Sequence, residues 1–271
     1  MTRASDQRAE GETVAGEREI AVRVRELSVG YGSTVVLRDL NFEIERGEIF
    51  VILGGSGCGK STLLKNMIGL YEPISGEIEL QGRSLIGATA VEQSEVLRGI
   101  GVTYQSGALF GSMTVLQNVR LALQEFTDLP RDAIDLIARM KLGLVGLRGS
   151  EDKLPAEISG GMRKRAAIAR AMALDPAILF LDEPQAGLDP ITSAELDQLI
   201  SSLARDLGIT FVIVTHELAS VFAIADRVIF LDGQRKTAVA IGNPHDLKRE
   251  SDDPLVRSFF RREVLSTEHQ S

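Results

Sequence analysis

The sequence predicts an α/β fold, a parallel-sheet core that follows a mainly β opening and carries a largely helical insertion. Three observations predict it. Short β-branched segments open the chain; a strand, glycine-rich loop and helix follow in immediate succession between Ile49 and Leu70; and strands alternate with helices from Ile178 onward.

The opening segments are Ile20 to Leu27, Val35 to Ile44 and Ile49 to Leu53, with turns marked by Gly30, Gly32 and Gly47. An apolar-periodic stretch from Lys60 to Leu70 suits a helix. From about Val115 to Leu174 the pattern is largely helical, with Leu116, Val119, Leu121 and Leu123 in one stretch and Ile134, Leu136, Ile137 and Met140 in the next. Next come a strand at Ile178 to Leu181, a helix from about Thr192 to Leu207, a strand at Phe211 to Val214, a helix near Leu218 to Ala225 and a strand at Val228 to Leu231. That alternation indicates parallel strands joined by crossovers. The stretch Asp253 to Phe260 is expected to form a short amphipathic helix or docking segment within a tail, 244–271.

At 271 residues the chain can bury a sizeable core, and 44% hydrophobic with 25% charged residues is ordinary globular usage. A net charge of -8 argues against a nucleic-acid partner bound through many phosphates. The single cysteine, Cys58, cannot pair within the chain, which suits a reducing compartment. No apolar run reaches the roughly 20 residues a membrane span needs. Residues 1–19 lack the apolar stretch of an export signal and are expected to be a flexible arm, so the chain is placed in the cytoplasm.

The residues Gly54, Gly55, Ser56, Gly57, Cys58, Gly59, Lys60 and Ser61 match the phosphate-binding pattern G-x-x-x-x-G-K-[ST], set between a strand and a helix as that motif requires, with Thr62 next. Glycines let successive backbone N–H groups turn toward phosphate oxygens, and the helix that follows adds the positive end of its dipole. Lys60 supplies a point charge, and the Ser61 hydroxyl is suited to Mg²⁺. Such a loop alone leaves kinases, G proteins and ATPases open. The apolar run Ala177 to Leu181 narrows the choice, because it should deliver Asp182 and Glu183 to the carboxyl end of a buried strand. Asp182 is placed to hold Mg²⁺, and Glu183 to orient and polarise an attacking water.

Ser159, Gly160, Gly161 and Met162 precede the basic, alanine-rich stretch Arg163 to Ala173, and they resemble the signature of ABC ATPases. A hydroxyl, glycine N–H groups and a helix N-terminus together make a second anion site. The resemblance covers roughly Val22 to Asp232 and implies further roles. It identifies Ala186 to Asp189 as the D-loop, His216 as the switch histidine that contacts the γ-phosphate, and Gln105 as the glutamine that reaches Mg²⁺ and reports nucleotide state. Tyr31 falls where this family stacks an aromatic on adenine, although a tyrosine there also suits an ordinary core or surface position.

What the resemblance implies is a P-loop NTPase of the ABC ATPase fold: a RecA-like parallel-sheet core, an N-terminal antiparallel β-subdomain and a helical subdomain at about 106–174, within a domain spanning 20–243. It also implies a homodimer that sandwiches two ATP with Mg²⁺, and ATP hydrolysis that drives a membrane permease from the inner face of the cell membrane. Tyr104 to Phe110 resembles the same loop in Mla- or Mce-type ATPases, as do Met162 in the signature, Asp189 to Thr192, and Asp253 to Arg257. For that group the implied cargo is phospholipid or a related lipid. The implied partners are a second copy, a polytopic MlaE-like permease, a STAS-domain accessory subunit and an MCE-domain protein, with no nucleic acid. Met162 departs from the glutamine usual in the wider signature, which puts that position's contact in doubt. The same catalytic motifs also suit an importer ATPase for a polar solute such as an amino acid, or a soluble ABC ATPase that works without a permease.

Overall fold

In the computed structural model, which describes residues 19–262, the chain runs β1 (Ile20–Tyr31), β2 (Thr34–Glu45), β3 (Ile49–Gly54), α1 (Lys60–Met67), β4 (Ser75–Leu80) and β5 (Arg83–Ser84). It continues through α2 (Ala90–Arg98), β6 (Ile100–Thr103), α3 (Val115–Phe126), α4 (Arg131–Leu144), a 3₁₀ turn at Pro155–Glu157 and α5 (Gly160–Ala171). The last part is β7 (Ile178–Asp182), α6 (Pro190–Leu207), β8 (Thr210–Val214), α7 (Leu218–Ile224), β9 (Arg227–Asp232), β10 (Thr237–Gly242), α8 (Pro244–Glu250) and α9 (Pro254–Arg261). Apart from Glu19, the expected N-terminal arm lies outside the described residues, as does the tail beyond 262.

The strands make two sheets. One is antiparallel, in the order β2-β1-β4-β5; the other runs β10-β9-β3-β8-β7-β6, with only the β10–β9 pair antiparallel. Because successive side chains on a strand point to opposite faces, the central strands feed two separate cores. Val51, Leu53, Leu179, Leu181, Phe211, Ile213, Val228 and Phe230 turn toward the helices α3 to α6. Phe50, Ile52, Ile178, Phe180, Val212, Val214, Ile229 and Leu231 turn toward α1 and the antiparallel sheet. Stacked rings of Phe42 and Phe50, 5.6 Å apart, join the two sheets.

The sequence pattern under-reads several elements. It does not announce β4, β5, α2, β6 or β10, although Thr89 and Glu92 form a reciprocal capping box whose spacing is visible in the sequence. The helix after the glycine loop ends at Met67 rather than Leu70. On α4 the buried face is Ile134, Ala138 and Leu142, whereas Leu136 and Met140 point to solvent. The helical i, i+4, i+8 row through Ile134 faces α3 and α5, so the neighbouring apolar residues fall outside it. The late helix is present as α9, with Val256 and Phe260 buried in the main core and Phe222 and Phe230 packed against Phe260. Its apolar face is thus turned onto its own domain. Among the described residues no helix is long and apolar enough to cross a membrane.

A buried amide ties the start of the helical insertion to the loop before it. Asn118 is fully buried; its Oδ1 accepts the Phe110 N–H at 2.8 Å, and its Nδ2 donates to the carbonyls of Phe110, Met113 and Thr114 at 3.1, 3.1 and 3.0 Å. Asn118→Leu removes every one of these hydrogen bonds while keeping the volume and leaves the Phe110 N–H without its acceptor. It is expected to cost about 3 kcal/mol, read as a lowered midpoint in urea unfolding with an unchanged slope.

Candidate functional site

Four consecutive parallel strands, β3, β8, β7 and β6, end on one edge of the sheet, and each delivers an expected site residue there. The glycine-rich loop follows β3, His216 follows β8, Asp182 and Glu183 end β7, and Gln105 lies just beyond β6. The carboxyl edge of an open parallel sheet is where the loops diverge and leave room for a ligand.

The loop Gly54 to Gly59 leads directly into α1, whose first turn has no side-chain cap, so its N–H groups are left for an anion. Gly59 sits at φ 106, and a side chain there would run into Val36 and Leu37. Lys60 folds back over the loop and donates to the carbonyls of Gly54 and Gly55, both at 2.9 Å. Its ammonium is therefore held over the concavity that the loop encloses. Ser61 is exposed on the same turn, while Thr62 is buried and its hydroxyl lies 3.0 Å from that of Tyr31. Tyr31 is half exposed, its ring set edge-on to Tyr71 at 5.7 Å. Cys58 is buried under the loop, and burial pushes its thiol above the usual range, which does not favour a reactive thiolate.

At the end of β7, burial pushes the Asp182 carboxyl up, the neighbouring Glu183 charge adds to the rise, and the charges of Lys65, Lys164 and Lys60 oppose it. Glu183 stands in the left-handed region at φ 48, an uncommon place for a non-glycine residue. Its Oε1 accepts a hydrogen bond from His216 Nδ1 at 2.8 Å, and its Oε2 is buried with no hydrogen-bond partner among the described residues. A carboxylate whose direction is fixed by such a bond is suited to take a proton from a water that enters the site. The Asp182 carboxylate, the Ser61 hydroxyl and the Gln105 side-chain carbonyl are hard oxygen donors, the type that suits Mg²⁺.

Ser159 caps α5 and accepts the Met162 N–H at 3.2 Å. Ser159 is exposed, so the cap is open to a ligand from outside the chain. Gly161 is required by packing, because a side chain there would meet the Thr192 methyl group. Gly160 lies against Leu188, which seats the cap on the turn Ala186 to Asp189. Asp189 in turn caps α6, accepting from the N–H groups of Ile191 and Thr192, both at 3.0 Å. Hydrogen bonds from the Thr192 hydroxyl and N–H, then from Ile191, hold its carboxyl below the usual range.

Two features escape a reading of the sequence. Gln185 is buried beside the β7 acids and donates to buried Asp197 at 2.8 Å, and burial pushes the Asp197 carboxyl up. Lys164, on α5, donates to the main-chain carbonyl of Gln105 at 2.6 Å and to that of Glu183 at 3.2 Å. Burial lowers its ammonium from the usual lysine range, against the pull of Glu183 and Asp182. A lysine in a basic helix gives no signal of such contacts, because its partners lie 59 and 19 residues away in sequence.

Comparison with known proteins places this geometry. The family profile described as "ABC transporter" matches residues 37–186. The chain is 43% identical to the "Probable ribonucleotide transport ATP-binding protein mkl" of Mycobacterium leprae, over 89% of this chain and 69% of that one. It is 40% identical to the "Intermembrane phospholipid transport system ATP-binding protein MlaF" of Escherichia coli strain K12, over 88% of each chain. Among solved structures, a dimeric ATP-binding cassette in a post-hydrolysis state, bound to ADP and phosphate, superposes with a TM-score of 0.73. That match is 28% identical and covers 82% of this chain and 98% of the other.

Proposed function

The chain belongs to the ABC transporter family of ATP-binding subunits, and from that membership we propose that it hydrolyses ATP at the interface of two copies to drive a permease that moves phospholipid. The observation that carries the catalytic part is the pairing of Glu183 with His216 at 2.8 Å, on the sheet edge that also carries the glycine-rich loop.

In this reading the N–H groups of Gly54 to Ser61, with Lys60 and Thr62, cradle the triphosphate, and Tyr31 meets the adenine. Asp182, Ser61 and Gln105 would hold Mg²⁺. When bound, that ion offsets charge on the departing phosphoryl group. Glu183 takes the proton of the attacking water, and His216 keeps the carboxylate aimed. Ser159 to Met162 of the second copy close over the γ-phosphate, so its loss on hydrolysis removes contacts that favour closure.

Docking of a permease is supported by a groove of about 620 Å³ lined by Leu97, Val102, Phe110, Leu121, Phe126 and Leu174. It adjoins the loop that carries Gln105, so a permease segment seated there would sense the catalytic edge. Phospholipid is favoured as cargo because 88% of each chain aligns with the MlaF protein at 40% identity and because Tyr104 to Phe110, Met162, Asp189 to Thr192 and Asp253 to Arg257 resemble the Mla- or Mce-type group. Recovery of the chain in mild detergent from its native membrane, followed by identification of its companions and co-purifying lipid, tests the proposal. A polytopic permease carrying phospholipid, with a STAS-domain or MCE-domain subunit, is the expected result. A permease carrying ribonucleotide or another polar solute would replace the cargo assignment, and recovery without any permease would defeat the transport role.

A further inference from the structure

We infer that Lys164 is a positioning residue that relays occupancy of one ATP site to the catalytic groups of the other. The inference rests on the dimeric reading proposed above and adds to it a physical connection inside each copy.

The connection starts at Ser159. Its hydroxyl and the first turn of α5 form the cap that meets the partner's nucleotide, and Lys164 lies on that same helix, one turn and a half further on. An α-helix of this length moves as a rigid rod, so a shift at its cap is carried to Lys164 with little loss. From there the ammonium reaches the main chain at both Gln105 and Glu183, in the loops that follow the neighbouring parallel strands β6 and β7. Those contacts fall on the backbone, which leaves the Gln105 and Glu183 side chains free for substrate while fixing where they start.

Glu183 needs such support. At φ 48 its backbone is held in a left-handed conformation that is unfavourable for an L-residue and persists only where surrounding contacts over-determine it. The bond from Glu183 N–H to the Val214 carbonyl, 2.8 Å, fixes one side of the peptide. On the other side its carbonyl accepts from the Ala186 N–H at 3.1 Å and from Lys164 at 3.2 Å, so Lys164 adds the contact that comes from α5. Further along α5, Arg170 donates to the carbonyls of Gly107 and Ala108 at 3.1 and 2.6 Å, so the loop after β6 is strapped to this helix at two points. Movement of α5 therefore carries the Gln105 loop with it and shifts the Glu183 peptide at the same time. The ATP whose attacking water Glu183 deprotonates lies on its own copy's loop, whereas the ATP that Ser159 grips lies on the partner's. One helix thus reads one nucleotide and aligns the base for the other.

The test compares Lys164→Met, Lys164→Gln and Lys164→Arg in the full chain by steady-state ATPase assay, equilibrium binding of a non-hydrolysable ATP analogue, and amide hydrogen exchange at 104–107 and 183–186. Lys164→Met is expected to lower kcat by about 10- to 100-fold, with analogue affinity and KM changed less than about twofold, because alignment and not binding is lost. Cooperativity between the two sites should fall toward a Hill coefficient of about 1, and exchange should rise at both loops together. Lys164→Arg should restore most of kcat. Lys164→Gln, which keeps one donor group without charge, should fall between the two, and it serves if Lys164→Met does not fold. Unchanged kcat and cooperativity in the Met and Gln variants would overturn the inference, as would a rise in KM with kcat preserved. Failure of the dimeric reading is recognised separately, by a hydrolysis-dead chain that stays monomeric with ATP while Lys164 is intact.

Discussion

Glu183→Gln is expected to reduce ATP turnover by at least about 100-fold while leaving ATP binding intact, because removal of a positioned general base costs on the order of 10²- to 10⁴-fold. The amide keeps the shape of the carboxylate and can still accept from His216 at the position of Oε1, so the fold and the histidine orientation are preserved. What it loses is the basic carboxylate that accepts the proton. With the γ-phosphate no longer removed, the contacts that favour closure persist, and the variant should accumulate as a dimer in the presence of ATP and Mg²⁺. Size-exclusion chromatography with light scattering, with and without ATP, reads the second effect independently of the first. Turnover at the native rate would remove Glu183 from the role of base. Loss of turnover without any ATP-dependent dimer would retain the base and remove the sandwich.

Lys60→Ala acts on the other half of the site and should fail differently. Its ammonium makes two charge-assisted bonds to the Gly54 and Gly55 carbonyls, both at 2.9 Å, and is held over the space enclosed by the loop. Truncation removes the charge that faces the β- and γ-phosphates and also releases the loop that presents the N–H groups. A hydrogen bond to a charged group contributes about 1.5–3 kcal/mol, so ATP affinity should fall by roughly 10- to 100-fold, and hydrolysis with it. Titration with a fluorescent ATP analogue gives the affinity, and a Tm within a few degrees of the native value shows that the fold is kept. Equal affinity in the two proteins would leave the phosphate contacts to the backbone alone.

The two substitutions therefore divide the site. One chain binds and closes without turning over; the other holds the nucleotide weakly and closes only at higher ATP.

Much of this was legible in the sequence because its signals are local. The glycine loop is read from spacing, since a backbone that must wrap a phosphate needs small residues at fixed intervals, and the structure puts Gly59 at φ 106 where the pattern demands it. The central strands are short apolar runs because both their faces are buried, and Ile178–Asp182 and Thr210–Val214 appear close to where that pattern puts them. Elements with weaker local signatures were missed for physical reasons. β6 is four residues with a glycine in its middle, and Gly101 is there because a side chain would strike the main chain of Ala171, a contact no local pattern contains. β4 alternates glutamate with isoleucine and leucine over only six residues, too short to stand out from a loop.

The sequence alone determined which chemical groups the protein carries and their order along the chain: glycine loop, glutamine, serine-glycine cap, paired acids, histidine. Tertiary structure alone decided that four of those five end on one sheet edge, that His216 aims Glu183, and that Lys164 ties both catalytic loops to the capped helix. The reason is one of range. Glycine spacing and capping residues act over a few residues of chain, whereas a carboxylate's second hydrogen bond and a lysine's two carbonyl partners are set by the order in which parallel strands are laid side by side.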